Sequence, residues 1–260
     1  MQPLIDADVL LYEIGFAAEA GWQGEGVPPF DYVAELLELK VSNICACVGA
    51  TAPPIMFLTG KTNFRDQIAT RQTYKDRPSN KPWHYYNIKA YIKGNYEYRE
   101  QNGLEADDLM AIEQTKRPGE TIICTRDKDL RAVPGWQYGW ELGNQPQFGP
   151  ELVDSLGWIK LSPDKKSIKG TGLRFFYSQC LLGDRVDSIK GVDGIGPVKA
   201  FGILDGADSE YLLFTRTLQE YVSKYGEIHG ATYLLESGRL LWMTRELSPD
   251  GLPVLWEFPE

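Results

Sequence analysis

Gln179 to Ala200 reads QCLLGDRVDSIKGVDGIGPVKA, and the fold class turns on how this stretch is read. Asp184 and Asp187 are three apart, so on a helical turn they face the same way, as two ligands of one metal ion must. Gly191, Gly194 and Gly196 follow, freeing the backbone to turn tightly and to present N–H groups to an anion such as a phosphate. Pro197 is then suited to open a helix whose N-terminus points at that anion. The expectation is a metal site beside a backbone clamp for phosphate.

Working outward, three more acidic groups follow apolar runs or open helices. PLIDADVLLYEIGFAA predicts a buried strand ending at Asp6 or Asp8, then a turn or helix. LEADDLMAIEQT predicts a helix with Glu105, Asp107 and Asp108 in its first turn, where negative charge is favoured and helix-end electrostatics account for two of the three. ETIICT, from Glu120 to Thr125, predicts another buried strand running into RDKDL; Asp127 and Asp129 point the same way if the chain stays extended there. A parallel sheet gathers such strand ends along one rim, where open α/β folds bind ligands. Oxygen-only donors suit Mg²⁺ or Mn²⁺ rather than zinc. More than four carboxylates suit two ions, about 4 Å apart in enzymes that hydrolyse phosphodiesters. With His84 and His229 the only histidines and neither near an acidic motif, histidine acid–base chemistry has little support.

The remaining segments are scaffold or substrate grip. Asp31 to Val48 has helical spacing, with Leu36, Leu39 and Ile44 expected on one buried face, and Ile55 to Thr59 reads as a central parallel strand. Residues 61–103 are basic and aromatic: Arg65, Arg71, Lys75, Arg77, Lys81, Lys89, Lys93 and Arg99 interleave with Tyr74, Trp83, Tyr85, Tyr86 and Tyr91. That mixture suits a mobile, lightly packed segment that neutralises phosphates and stacks on unpaired bases. The punctuated stretch from Pro134 to Pro146 suggests irregular strands or hairpins, and SPDKKSIKGTG a basic loop. LRFFYSQCLLG, EYLLFTRTLQEYVSKYG and HGATYLLESGRLLWMTREL predict helices, and LPVLWEF an edge strand or extended tail.

Composition is that of a globular protein: 260 residues, 43% hydrophobic, 24% charged. The apolar runs at the start are interrupted by acids and lack a basic leader, so the start reads as a core strand rather than a signal peptide, and no run reaches membrane-span length. Cys45, Cys47, Cys124 and Cys180 lack zinc or redox spacing and are expected to be buried free thiols in a reducing cytoplasm. The net charge of −9 looks wrong for a nucleic-acid binder. Nine of the acids, however, are Asp6, Asp8, Glu105, Asp107, Asp108, Asp127, Asp129, Asp184 and Asp187; with these neutralised by metals, acids and bases balance.

The order DAD, FR with YKDRP, EADD, TRDKDL and GDRVDSIKGVDGIGPVKA, spanning residues 4–204, resembles the 5′-nuclease superfamily of flap endonucleases and polymerase-associated nuclease domains, and most of all the short phage 5′-to-3′ exonucleases. The resemblance implies an α/β fold with a PIN-like, mainly parallel central sheet flanked by helices, a basic arch or clamp, and a helix–three-turn–helix element that grips duplex DNA. It implies one domain: a core of residues 1–60 and 104–172, an arch of 61–103, the helix–three-turn–helix region in 173–225 and a C-terminal helix and tail in 226–260. It further implies a first metal, Mg²⁺ or Mn²⁺, on Asp6, Glu105 and Asp107, and a second surrounded by Asp108, Asp127, Asp129, Asp184 and Asp187. Lys75 would reach the scissile phosphate with Arg77 assisting; Tyr74 would offer a stacking face and Arg65 a DNA contact. Gly191, Val192, Gly194, Ile195, Gly196 and Lys199 would hold duplex phosphates with a K⁺ ion. DNA, with RNA·DNA hybrids as a further substrate, would be met by a monomer in the cytoplasm, the host's if the chain is phage-encoded. Many members carry another acid where this chain reads LTGKTNFR; Gly60 or a neighbour replaces it, and Asp8 is the candidate to compensate.

Three rivals stand beside this reading. A haloacid-dehalogenase-type phosphatase would use Asp6 as nucleophile but leaves EADD, RDKD and GIGP unexplained. A non-catalytic DNA-binding protein leaves the acids unexplained. An RNA-cutting PIN nuclease leaves the glycine hairpin unexplained.

Overall fold

The computed structural model describes residues 1–76 and 80–260. The chain forms two compact units: residues 1–62, 78–127 and 135–152 make the first, and residues 63–77, 128–134 and 153–260 the second.

The first unit is built on a six-stranded sheet. Its strands are β1 (Gln2–Asp6), β2 (Ile55–Asn63), β3 (Glu97–Gly103), β4 (Thr121–Cys124), β5 (Gly135–Gly139) and β6 (Phe148–Val153), in the order β3-β2-β1-β4-β5-β6. β1 runs parallel to β2 and β4, and β4 parallel to β5, with Ile5 opposite Met56 and Cys124. Successive residues of a strand face opposite sides. Ile5, Met56, Leu58, Ile122 and Cys124 join a core with α1 (Ala7–Gly21), α2 (Phe30–Cys47) and α4 (Tyr85–Asn95). The alternate residues Leu4, Ile55, Phe57 and Ile123 are equally buried, and α5 (Ala106–Lys116) packs against β1 and β4. Burial on both faces is why these strands read as near-continuous apolar runs.

Several expectations change here. The buried stripe of α2 is Val33, Leu37, Val41 and Ile44, one residue round from the expected face, and Leu39 is 59% exposed. The stretch after Pro134 opens with a regular parallel strand, β5, and only then becomes the expected irregular turn, closed by an antiparallel bridge between Leu142 and Gln145. Residues 61–103 are not lightly packed: Ile88 and Ile92 of α4 sit in the core, and β3 extends the sheet beside β2. Only Cys124 and Cys180 among the thiols are buried; Cys47 is exposed, and all four are free. Among the described residues no helix is long and apolar enough to cross a membrane.

The second unit is mainly helical: α3 (Arg65–Ile68), α6 (Gly172–Leu182), α7 (Pro197–Leu204), α8 (Glu210–Tyr225) and α9 (Glu227–Leu241). Two hairpins join them, β7 (Ile159–Leu161) with β8 (Ile168–Gly170), and β9 (Gly183–Asp184) with β10 (Ile189–Lys190). The basic loop SPDKKSIKGTG is thus largely the β7–β8 hairpin. Phe176, Tyr177, Leu181, Leu213, Tyr221 and Leu234 form its core with Trp256. The tail after α9 docks through Trp256, whose ring fills the space that a side chain at Gly238 would need.

Candidate metal centre

In the first unit the acids gather where β1 and β4 end. Asp6 closes β1 and caps α1, accepting from the N–H of Val9 at 3.2 Å and from the Thr125 hydroxyl at 2.7 Å. Thr125 in turn accepts from the N–H of Asp127 at 2.9 Å. In the first turn of α1, Asp8 accepts from the Thr59 N–H of β2 at 3.0 Å, and the Thr59 hydroxyl accepts from the N–H of Ala106 at 3.0 Å. The N-terminus of α5 is therefore tied to β2 beside Asp8. Burial, and then the charge of Asp8, push Asp6 up to about 6, against the bonds from Thr125 and Val9. Burial also raises Asp8, against Thr59 and the charge of Lys89, with Glu105 adding to the rise. A buried carboxylate and a half-buried neighbour, both disfavoured as anions, suit a place for a cation.

The EADD motif serves the helix first. Glu105 and Asp108 form a reciprocal capping box on α5, the Glu105 N–H donating to Asp108 at 3.2 Å. Asp108 is fully buried and Asp107 half-buried. Gly60, within β2, has no room for a side chain: a Cβ there would lie 2.1 Å from the carbonyl oxygen of Gln101 in β3, a backbone atom. Asp8 meets β2 at the residue before it.

In the second unit Asp129, Asp184 and Asp187 converge, each offering a carboxylate oxygen within 4.8 Å of the others; among the described residues no other group of three acids is so close. The local geometry differs from the expected one. Asp184 and Asp187 lie in the β9–β10 hairpin rather than on a helical turn, and Asp184 accepts from the N–H of Val186 at 2.7 Å and of Asp187 at 3.4 Å. After Asp127 the chain does not stay extended but coils into a 3-10 turn, Asp129–Ala132, so Asp127 belongs to the first unit and Asp129 to the second. Gln179 donates to Asp129, and Lys128 donates to Asp129 at 2.7 Å and also to Asp184. Burial alone would raise Asp184, but the bond and charge of Lys128, with the two backbone N–H groups, hold it below the usual carboxylate range. An all-oxygen donor set already drawn to an ammonium fits a hard divalent cation.

Lys75 stands beside this cluster. Its backbone is left-handed at φ 47°, its N–H donates to the Asp187 carbonyl at 3.1 Å, and its ammonium lies 4.0 Å from the Asp187 carboxylate. A non-glycine residue in that region is strained and persists only where its surroundings impose it. Tyr74 does not offer the expected stacking face: its ring is buried in the core and its hydroxyl donates to Asp187 at 3.4 Å. Arg77 lies outside the described residues.

Arg65 is not a DNA contact either. Fully buried, it donates to the Leu240 carbonyl at 2.9 Å and the Trp242 carbonyl at 2.8 Å, latching the end of α9. Arg65→Met should therefore lower stability by about 2 to 4 kcal/mol, since two buried carbonyls lose charged donors. Chemical denaturation measures this; an unchanged midpoint with weakened DNA binding would restore the contact role.

The glycine hairpin also divides. Gly191 is small because a Cβ there would lie 2.4 Å from Leu181 O and Gly183 N, a packing reason rather than an exposed amide. The N–H groups of Val192 and Ile195 are spent internally, on Leu181 O at 2.9 Å and Val192 O at 3.1 Å, so neither is the expected phosphate donor. Gly194 adopts φ 87° with open space around it, Gly196 caps α7, and Pro197 opens that helix as expected. Lys199 is exposed and paired with Glu220 at 2.8 Å. Arg71, overlooked as a positioning residue, braces the hairpin by donating to Lys190 O at 3.1 Å and Gly191 O at 3.3 Å while lying over Tyr233; nothing in its local sequence sets it apart from the other bases.

No family model matches the chain. Among solved structures it is similar to the bacteriophage T5 D15 protein co-crystallised with metal ions, with a TM-score of 0.59 at 14% identity, covering 92% of this chain and 88% of that one. It is likewise similar to the T5 D15 flap endonuclease in a pseudo-enzyme–product complex with DNA and metal ions, with a TM-score of 0.51 at 15% identity, covering 92% and 98%. With its mainly parallel sheet, this chain shares the fold of these T5 D15 structures.

Proposed function

We propose that this chain is a divalent-metal-dependent DNA nuclease that hydrolyses phosphodiester bonds at 5′ ends or 5′ flaps. The observation that carries the reading is the convergence of Asp129, Asp184 and Asp187, in a fold shared with a flap endonuclease that was crystallised with DNA and metal ions. Asp129, Asp184 and Asp187 would hold one ion, and Asp6, Glu105 and Asp107, with Asp8, another; Asp108 and Asp127 are further candidate ligands of the first unit. When bound, Mg²⁺ or Mn²⁺ supplies Lewis acidity and neutralises phosphate charge. Lys75 would present its ammonium to the phosphate under attack, a preorganised charge worth roughly 10²- to 10³-fold in rate. Glycines 194 and 196 with Lys199 and a K⁺ ion would hold duplex phosphates at the start of α7. Phage DNA replication, recombination or degradation is the setting that suits such an activity, carried out by a monomer in the host cytoplasm.

The test is digestion of 5′-labelled and 3′-labelled DNA, duplex and flapped, with Mg²⁺ and with chelator, beside a small phosphate monoester. Short products from the 5′ end that require Mg²⁺, with the monoester untouched, are expected. Cleavage indifferent to chelator, or monoester hydrolysis, would overturn the reading.

A further inference from the structure

Lys128 is the third residue of RDKDL, and the reading so far gives it no part. Its ammonium lies 2.7 Å from the Asp129 carboxylate and hydrogen-bonds to that of Asp184, while the Lys128 side chain is 53% exposed and those of the two acids 10% and 4%. Asp129 is also held by Gln179, and Asp184 by the N–H groups of its own hairpin. The carboxylates are thus fixed from behind and the lysine reaches them from the solvent side. Three carboxylate oxygens within 4.8 Å of one another repel unless a positive charge is present. The single charge of Lys128 touches two of them.

We propose that Lys128 is an internal stand-in for the divalent cation. In the metal-free protein its ammonium bridges Asp129 and Asp184; on metal binding it gives up both carboxylates and turns into solvent. The inference rests on the metal-site reading above. An ammonium on a flexible four-carbon stem, with its side chain half exposed, can leave, but at a cost set by the two buried carboxylates that it gives up. The carboxylates stay in place, because their other partners do not move with the lysine. Lys128 would therefore keep the empty site from repelling itself apart and would set a threshold of cation concentration below which the site stays closed to metal.

The full chain without DNA is titrated with Mn²⁺, free ion being followed by electron paramagnetic resonance, and melted in chelator. Asp184→Asn identifies which bound Mn²⁺ belongs to this cluster. Lys128→Met, which keeps the stem and removes the charge, should bind that Mn²⁺ about tenfold more tightly and melt at a lower temperature in chelator. Lys128→Gln should behave alike, and Lys128→Arg should stay near the parent. Equal or weaker Mn²⁺ binding by both uncharged variants would overturn the stand-in role while leaving the metal site intact. If no bound Mn²⁺ is sensitive to Asp184→Asn, the metal reading fails and the proposal falls with it.

Discussion

Asp184→Asn should lower Mg²⁺-dependent DNA cleavage by roughly 10³-fold or more with little change in folding. The asparagine oxygen can still accept from the N–H groups of Val186 and Asp187, which shape the β9–β10 turn. What it loses is the charge shared with Lys128 and, in the proposed reading, with the metal. Duplex binding should remain measurable, since the hairpin and Lys199 are untouched. Single-turnover cleavage beside a thermal melt measures both halves. Cleavage within a few-fold of the parent would take Asp184 out of the chemistry. Asp127→Ala carries the same expectation for the first unit, and retention of activity there would remove that residue alone.

Asp6→Asn should do something less intuitive: stabilise the metal-free protein while abolishing its activity. The folded-state pKa of Asp6 is about 6 and that of an ordinary aspartate 3.8, the cause being burial and then Asp8. Between those two values the folded chain holds a proton that the unfolded chain has released, so stability falls as pH rises through the window and is lowest above it. Asparagine removes that cost. The gain at pH 8 in chelator should be about 1 to 3 kcal/mol, offset partly if the Thr125 and Val9 bonds are weakened, and it should vanish as pH falls towards 4. Denaturation at pH 8 and pH 4 tests it; a variant equally destabilised at both values would mean that the bonds of Asp6 outweigh the cost of its charge. Added Mg²⁺ should stabilise the parent more than the variant, because in the parent the buried carboxylate gains its counter-ion.

Much of the architecture was legible because the sheet is buried on both faces and each parallel strand therefore announces itself as a short apolar run. The helices from Ala106, Gly172, Glu210 and Glu227 were visible through their periodicity. The acids at strand ends were visible for the same reason, since Asp6 directly follows an apolar run. What was hidden depends on partners distant in sequence. Arg65 looks like any basic residue of a DNA-facing segment until the carbonyls of Leu240 and Trp242 claim it. Tyr74 looks like a stacking ring until the core of the second unit covers it. Gly191 looks like a turn residue until the backbone of Leu181 and Gly183 is found against it. Local spacing also misled at Asp127 and Asp129, because the coil after β4 is imposed by tertiary structure and not by the residues between the two acids.

The interleaving of the two units bears on how the chain matures during synthesis. Lys75 and Asp129 leave the ribosome early, but the hairpin with Asp184 and Asp187 and the helices that brace it come from residues 153–260. At roughly 5 to 20 residues per second, the interval between Asp129 and the last residue is on the order of ten seconds. Throughout it, residues 63–76 and 128–134 lack the core that residues 153–260 supply to them. A fragment beginning at residue 153 would carry most of the second unit's helices but not Lys75, Lys128 or Asp129.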